Sequence, residues 1–296
     1  MHSRQRATYA LIATTTTWGT VPLIVRTVDL PAAVVVAARF WFGALFLTGV
    51  LVWERRRARP SGPPVWSVAR GRGVAVCFTL VVHWLCEIGA YSYAPVGTAL
   101  FIVFLAPIGI AAFAPRVLGE HIDRQTILAL ALAVGGFAFM SRSALEASGG
   151  TGIALSVAGA VTFVMLVLLN KPLADTYGGV RAAQMQMTGA ALLIVPFVAV
   201  ADIPSPNASW LWLIVLGVVH TGVAIAVYLS VLRVVGATVT GVLGYLEPAT
   251  AVVWAWLVLG EAPSAATLVG GVAILGAGLL VVRNQRPDLE VAGVTG

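Results

Sequence analysis

The sequence predicts an all-α membrane protein of ten transmembrane helices, arranged as two five-helix repeats that insert in opposite orientations. Three observations carry this. Of the 296 residues, 59% are hydrophobic and only 10% are charged, with a mean hydropathy of +0.94; soluble domains carry about 25% charged residues. The apolar residues fall into runs long enough to cross a ~30 Å hydrocarbon core as helices. And the second half of the chain repeats the first at fixed spacing.

The runs are Ala7–Val25, Ala32–Trp53, Gly73–Tyr93, Val96–Pro115 and Gln125–Ser141, then Thr151–Leu169, Ala182–Ala201, Trp210–Leu232, Ala237–Leu259 and Ala265–Val282. Helix is preferred over strand, because a lipid-exposed strand leaves backbone groups unpaired. The third and fourth runs nearly fuse at Tyr93-Ala94-Pro95-Val96, where a tight turn is expected. The fifth and tenth are the shortest. Arg4 and Arg6 ahead of the first run resemble the start of a signal peptide, but the run lacks a convincing cleavage site and is expected to be retained.

Orientation follows from Lys and Arg. With the N-terminus in the cytoplasm, 15 of the 18 basic residues fall on the cytoplasmic side, against Arg26 and Arg142 on the other, with Arg39 inside span two. The positive-inside rule therefore places both termini in the cytoplasm of a multi-pass inner-membrane protein.

The duplication is read from Pro107 followed by Gly119-Glu120 and Pro248 followed by Gly260-Glu261, offset by 141 residues. His83 and Tyr91 recur as His220 and Tyr228 at an offset of 137. The expected units are residues 1–146, residues 147–285 and a cytoplasmic tail, 286–296. Five spans per repeat is odd, so the second copy inserts upside down, which gives two related conformations open to either side.

The net charge of +6 does not point to nucleic acid, since the basic residues lie between apolar runs rather than on one face. Cys77 and Cys86 stand nine residues apart on one span, ~13.5 Å of rise, beyond disulfide reach; they read as packing residues. Neither zinc spacing nor a phosphate-binding loop is present, and no cofactor or metal is expected. The motifs of intramembrane proteolysis and of a Gly-x-Ser-x-Gly nucleophile are absent as well, which argues against an enzyme. A membrane scaffold without transport would be a costly use of charged residues inside spans.

Trp18-Gly19 in span one, Arg39-Phe40 in span two and the Pro-to-Gly-Glu segments closing spans four and nine, with Leu246-Glu247-Pro248 in the second copy, together resemble the drug/metabolite transporter superfamily, in particular proteins with two tandem EamA-like domains. The resemblance covers nearly the whole chain. It implies a ten-helix bacterial inner-membrane carrier, many of whose relatives export amino acids, metabolites or toxic compounds, while others import or exchange sugars and nucleotide-type metabolites. The expected partners are a small-molecule substrate and the lipid bilayer, with the chain acting as monomer or homodimer. One departure is plain: Ala106-Pro107 stands where the second repeat has Glu247-Pro248.

Five ionisable side chains fall within spans: Arg39, His83, Glu87, His220 and Glu247. Each must face a cavity or a partner, because charge in the bilayer interior costs several kcal/mol. His83 and Glu87, four apart, share a helix face with Tyr91. They form either a proton-coupling or substrate-amine site or an internal hydrogen bond that orients span three. Glu87 maps onto Ala224 in the second copy. Glu247 precedes Pro248, which removes a helix hydrogen bond; it either coordinates a cation beside a hinge or pins the helix. Pro107 and Pro248 are the hinge or gate candidates. Arg39 can bind a carboxylate bidentately, snorkel outward, or pair with Glu87 or Glu247. Gln184 and Gln186 are either substrate-bonding groups or interhelical contacts. Trp18 is placed in the cavity wall; Trp53, Trp66, Trp210 and Trp212 read as interfacial anchors. Gly119-Glu120 reads as a helix stop followed by the start of the next helix.

Overall fold

The computed structural model describes residues 2–28, 30–57, 70–90, 93–94, 96–141, 149–199, 209–260 and 262–284. Tyr91, Trp66, Glu261 and the tail lie outside the described residues. Within them the chain is helical and contains no strand. The helices follow the apolar runs. The first run is α1 (His2–Trp18) with α2 (Val21–Thr27), the second α3 (Ala32–Arg57), and the third α4 (Arg70–Ala90). The fourth is α5 (Val96–Val103) with α6 (Ala106–Leu118), and the fifth α7 (Arg124–Met140). In the second half come α8 (Gly150–Tyr177), then α9 (Gly179–Leu193) with α10 (Val195–Ala199). The eighth run is α11 (Ser209–Gly217), a π-helical turn (Val218–Val223) and α12 (Ala224–Val235). The ninth is α13 (Ala237–Gly244) with α14 (Leu246–Leu259), and the tenth α15 (Ala265–Asn284).

Among the described residues seven stretches are long and apolar enough to cross a membrane: 33–57, 70–90, 98–118, 150–177, 209–235, 237–259 and 265–283; α7 is a shorter apolar helix. The chain is a multi-pass membrane protein. Its outer surface agrees, since Leu45, Phe78, Leu128 and Val272 are each more than 60% exposed, an arrangement that water would penalise and acyl chains accept. The first run is the least apolar, yet its threonines are internally satisfied. Thr14, Thr15 and Thr17 donate to the carbonyls of Ala10, Leu11 and Ala13 at 2.8, 3.0 and 2.8 Å, which removes their polarity from the bundle interior.

The principal packing pairs are related by exchanging each run for the one five later. Helix α4 packs along α8 as α12 packs along α1. Helices α5 and α6 meet α8 as α13 and α14 meet α1, while α3–α9, α6–α13 and α7–α15 each join corresponding runs of the two halves. At the α7–α15 crossing a Cβ on Gly136 would lie 2.8 Å from the Gly270 carbonyl oxygen. Only glycine lets the two backbones approach this closely.

The Gly-Glu motif has a larger reach than the sequence implies. Gly119 ends α6 in the left-handed conformation, φ 68°, as a helix stop requires. The next helix, however, is capped by Asp123, whose Oδ1 accepts from Thr126 N at 2.7 Å. Glu120 instead accepts from the Ala237 N–H at 2.7 Å through Oε1 and from Thr238 N at 3.4 Å through Oε2. It thus caps α13 in the other half. Gly236, φ 89°, leaves room there, since a Cβ would come 3.1 Å from Glu120 Oε1.

Candidate functional site

Four helix interruptions meet in the interior. Helices α5 and α6 part at Phe104–Leu105, and α13 and α14 part at Tyr245. Each break lies just before the proline that sequence marks as a hinge, Pro107 or Pro248, because proline suits the first turn of a helix and not its middle. Phe104 and Tyr245 are themselves 141 residues apart, and the Tyr245 hydroxyl donates to the Phe104 carbonyl. One break therefore supplies the partner for a carbonyl freed at the other. The rings lie 6.1 Å apart, with Phe137 against both.

The third interruption, Gly19–Thr20 between α1 and α2, crosses the start of α14. A Cβ on Gly19 would sit 2.9 Å from Ala251 N and 3.1 Å from Glu247 O. The fourth is the π turn centred on His220. The His220 carbonyl in this turn accepts from Trp18 Nε1 at 2.8 Å. The buried Thr221 hydroxyl donates five residues back to Leu216 O at 2.9 Å. Such turns interrupt helices chiefly where function requires a displaced group.

These interruptions surround the ionisable residues. Arg39 donates from Nε to Thr221 Oγ1 at 3.0 Å, and its guanidinium lies 3.9 Å from the Trp84 ring centroid. Trp84 in turn stacks on Phe40 at 4.9 Å. Stacking on a mostly desolvated indole is worth about 2 kcal/mol and holds the guanidinium as an oriented plane. Glu247, in the first turn of α14, interacts electrostatically with both Glu87 and Arg39. The positive end of a half-helix favours a carboxylate at that place. Tyr228, packed at 5.6 Å against Trp18, lies within electrostatic range of Glu247, as His220 does of Arg39. Arg39 on α3 and Glu87 on α4 thus both lie within electrostatic range of Glu247 on α14, with Trp84 against Arg39 and the Trp18–Tyr228 pair near Glu247.

The two histidines occupy matching settings. His83 Nδ1 lies 3.0 Å from Gly159 O and 3.3 Å from Thr162 Oγ1. His220 Nε2 lies 2.8 Å from Thr20 Oγ1, whose hydroxyl donates to the Thr17 carbonyl at 2.7 Å, and His220 Nδ1 lies 3.4 Å from Val215 O. Thr17 and Thr20 are separated from Gly159 and Thr162 by the same offset of 142. Beyond this the halves differ. His83 Nε2 faces Glu87 Oε2 at 3.4 Å, whereas Ala224 stands where a second glutamate would be.

The glutamines are placed elsewhere. Gln186 accepts from Asn170 Nδ2 at 3.1 Å in the buried α8–α9 contact, and Gln184 donates to Thr48 on α3 at 3.2 Å and to Thr188 at 3.1 Å. Thr20, Thr162, Thr221 and Trp84 were not singled out from sequence. The 142-residue offset marks the first two, while nothing in the sequence marks the others.

A model of the EamA-like transporter family matches residues 6–142 and again 150–283. The chain is a member of that family. The two matches are the tandem halves. Among its relatives is a transporter of Archaeoglobus fulgidus without an assigned substrate, 26% identical over 277 residues, covering 93% of this chain and 96% of the relative. A probable terminal-alkyne amino-acid exporter of Streptantibioticus cattleyicolor is 26% identical and covers 78% and 76%. An S-adenosylmethionine uptake transporter of Rickettsia prowazekii is 24% identical and covers 85% and 83%. A solved crystal structure shares the fold at a TM-score of 0.79, with 20% identity and coverage of 96% and 99%.

Proposed function

We propose that this EamA-like protein is an alternating-access secondary transporter of the bacterial inner membrane that exports amino acids or closely related small metabolites. In this reading it has ten spans, both termini in the cytoplasm, and halves 1–146 and 147–285 inserted in opposite orientations. The observation that carries the substrate class is the grouping of Arg39 with Glu87 and Glu247 at the helix interruptions. A fixed guanidinium suits an α-carboxylate, and two carboxylates suit an α-ammonium, so the region complements a zwitterion. Trp18, Trp84 and Tyr228 offer aromatic surface to a side chain. The substrates named for two relatives, a terminal-alkyne amino acid and S-adenosylmethionine, both carry an amino and a carboxyl group on one carbon.

Alternation has a structural basis in the breaks. The paired interruptions at Phe104–Leu105 and Tyr245 cross where the two halves meet, and discontinuous helices in corresponding positions are where such carriers place their sites. The test is transport by purified protein in proteoliposomes, using a panel of radiolabelled amino acids with and without a pH gradient. Movement of at least one zwitterionic amino acid above protein-free liposomes is expected. Movement of sugars or nucleotide-type solutes only, with every amino acid excluded, would overturn the substrate class.

A further inference from the structure

We infer that the corner between α6 and α7 binds an anionic phospholipid, which seats its phosphate at Arg116 and His121 and steadies the contact between the halves at Glu120. The site does not depend on what the protein carries. Only its leaflet, the cytoplasmic one, rests on the orientation proposed above.

The corner is walled by small residues. Ala111, Ala112 and Pro115 near the end of α6 leave a groove of about 590 Å³ against Ile122 and Ile127, with Gly119 and Glu120 at the turn. That volume falls within the range of small-molecule sites, about 300–1,000 Å³. Ile127 in its wall is more than half exposed, as are Phe113 and Val117 on the same stretch of α6, so the groove opens among side chains that suit acyl chains. Arg116 and His121 line it as well. Arg116 donates from Nη1 to Ala112 O at 3.0 Å, which uses one of its five N–H donors and turns the guanidinium back along α6. The remaining donors suit a phosphate, which arginine binds through paired N–H bonds. Imidazole brings a further N–H in either tautomer. Arg124, exposed at the start of α7, adds a second guanidinium to the corner.

Two carboxylates stand nearby, and each is set against a helix start. Asp123 accepts from Thr126 N at 2.7 Å and caps α7; Glu120 accepts from Ala237 N at 2.7 Å and caps α13. The partial positive charge of a helix N-terminus offsets a carboxylate placed there, which leaves the cations to face an anion.

The second repeat supplies the comparison. At the offset of 141, Ala111, Ala112 and Pro115 become Val252, Val253 and Trp256, while Arg116, His121 and Arg124 become Leu257, Ala262 and Ala265. Bulk replaces the groove and every cation is gone, although Gly119-Glu120 and Gly260-Glu261 are shared. Turning the chain therefore requires neither the small residues nor the cations. The positive-inside tendency accounts for arginine on one side of a membrane, but not for the small residues that open a groove beside it. A basic groove at the cytoplasmic edge of a bundle fits an anionic headgroup. Glu120 ties that groove to the other half, since it both lines it and caps α13. A lipid seated there excludes water from the Glu120–Ala237 bond, which strengthens it, and so favours the conformation in which the bond is made.

The experiment is native mass spectrometry of the full-length protein in detergent with dioleoyl phosphatidylglycerol or dioleoyl phosphatidylcholine, alongside melting temperatures with each lipid. Phosphatidylglycerol should be retained at least ~fivefold better, the selectivity that a single arginine confers toward an anionic lipid, and it alone should raise the melting temperature, as a ligand of the folded state does. Arg116→Gln combined with His121→Gln should remove that selectivity. Ala112→Trp, which fills the groove and keeps the charges, should remove it too, whereas Arg55→Gln takes the same charge from the end of α3 and should leave it unchanged. Glu120→Ala should still retain the lipid but lose most of the rise in melting temperature. Equal retention of the two lipids by wild type would overturn the site, and this comparison decides even where a variant does not fold. Equal loss in Arg55→Gln would reduce the effect to the general charge of that face and overturn it as well. Full selectivity in folded Ala112→Trp would place the lipid elsewhere, and displacement of the lipid by glycerol 3-phosphate as readily as by phosphatidylglycerol would overturn the lipid as occupant. An unchanged rise in Glu120→Ala would reject the link between the halves and leave the lipid site standing. None of these readings involves transport, so a failure to move amino acids would reject the substrate class alone.

Discussion

At the scale of single residues, the chemistry is set by which polar groups the interior satisfies. Arg39 is held by Thr221 and by the face of Trp84, so its plane matters as well as its charge. Arg39→Lys keeps the charge but loses the planar fork. It should raise the KM for a transported amino acid at least ~tenfold, the equivalent of about 1.4 kcal/mol, with less effect on the maximal rate; an unchanged KM would remove Arg39 from the site. Gly19 is fixed by geometry, since any Cβ would press on backbone atoms of Ala251 and Glu247. Gly19→Ala should cost about 1–3 kcal/mol as overpacking, seen as a lower melting temperature in detergent. The charged residues were legible in the sequence because ionisable groups inside apolar runs are conspicuous. Their partners were not. Thr20, Thr162 and Thr221 look like any threonine in a helix until the fold brings them to a histidine or an arginine, and Trp84 looks like one more aromatic.

At the scale of elements, the positions of most helices could be read from apolar runs, since lipid demands that a spanning backbone satisfy itself. The breaks before Pro107 and Pro248 were legible for the same reason that proline is excluded from helix interiors. The interruption at Gly19–Thr20 and the π turn at His220 were not, because both depend on tertiary partners: the α14 backbone beside Gly19 and the Trp18 indole on the His220 carbonyl. Glu120 teaches the same lesson. Its place after Gly119 marks a helix end, but the helix it caps begins at Ala237, 117 residues away. Glu120→Ala should destabilise the protein by about 1–2 kcal/mol, as for the loss of a helix cap, and thermal unfolding in detergent measures it. Glu120→Gln keeps the shape but gives up the charge-assisted bond and should fall between the two. Equal stability of all three would mean that the contact between halves carries no weight.

At the scale of the whole molecule, the packing repeats itself when each run is exchanged for the one five later, yet the chemistry does not. The histidines and their threonines are duplicated, whereas Glu87 and Glu247 face Ala224 and Ala106 at the corresponding positions. Under the proposed alternating access the duplicated frame supplies two related conformations, and carboxylates present in one half only give it a polarity. The proposed cytoplasmic N-terminus, drawn from the distribution of Lys and Arg, predicts that the 55–72 connection faces the cytoplasm. A cysteine introduced at Ser61 should resist an impermeant thiol reagent in intact cells and react in inverted vesicles; labelling in intact cells would reverse the topology.

The central claim is that a zwitterionic solute binds between the halves at Arg39, Glu87 and Glu247. The most direct measurement is exchange of a radiolabelled amino acid in proteoliposomes by wild type, Arg39→Gln and Glu247→Gln, each shown to be folded by its thermal transition. The account predicts exchange by wild type and its loss in both variants at every pH, because Glu247 serves the site and the geometry of α14 together. Folded variants that exchange the amino acid at the wild-type rate would contradict it.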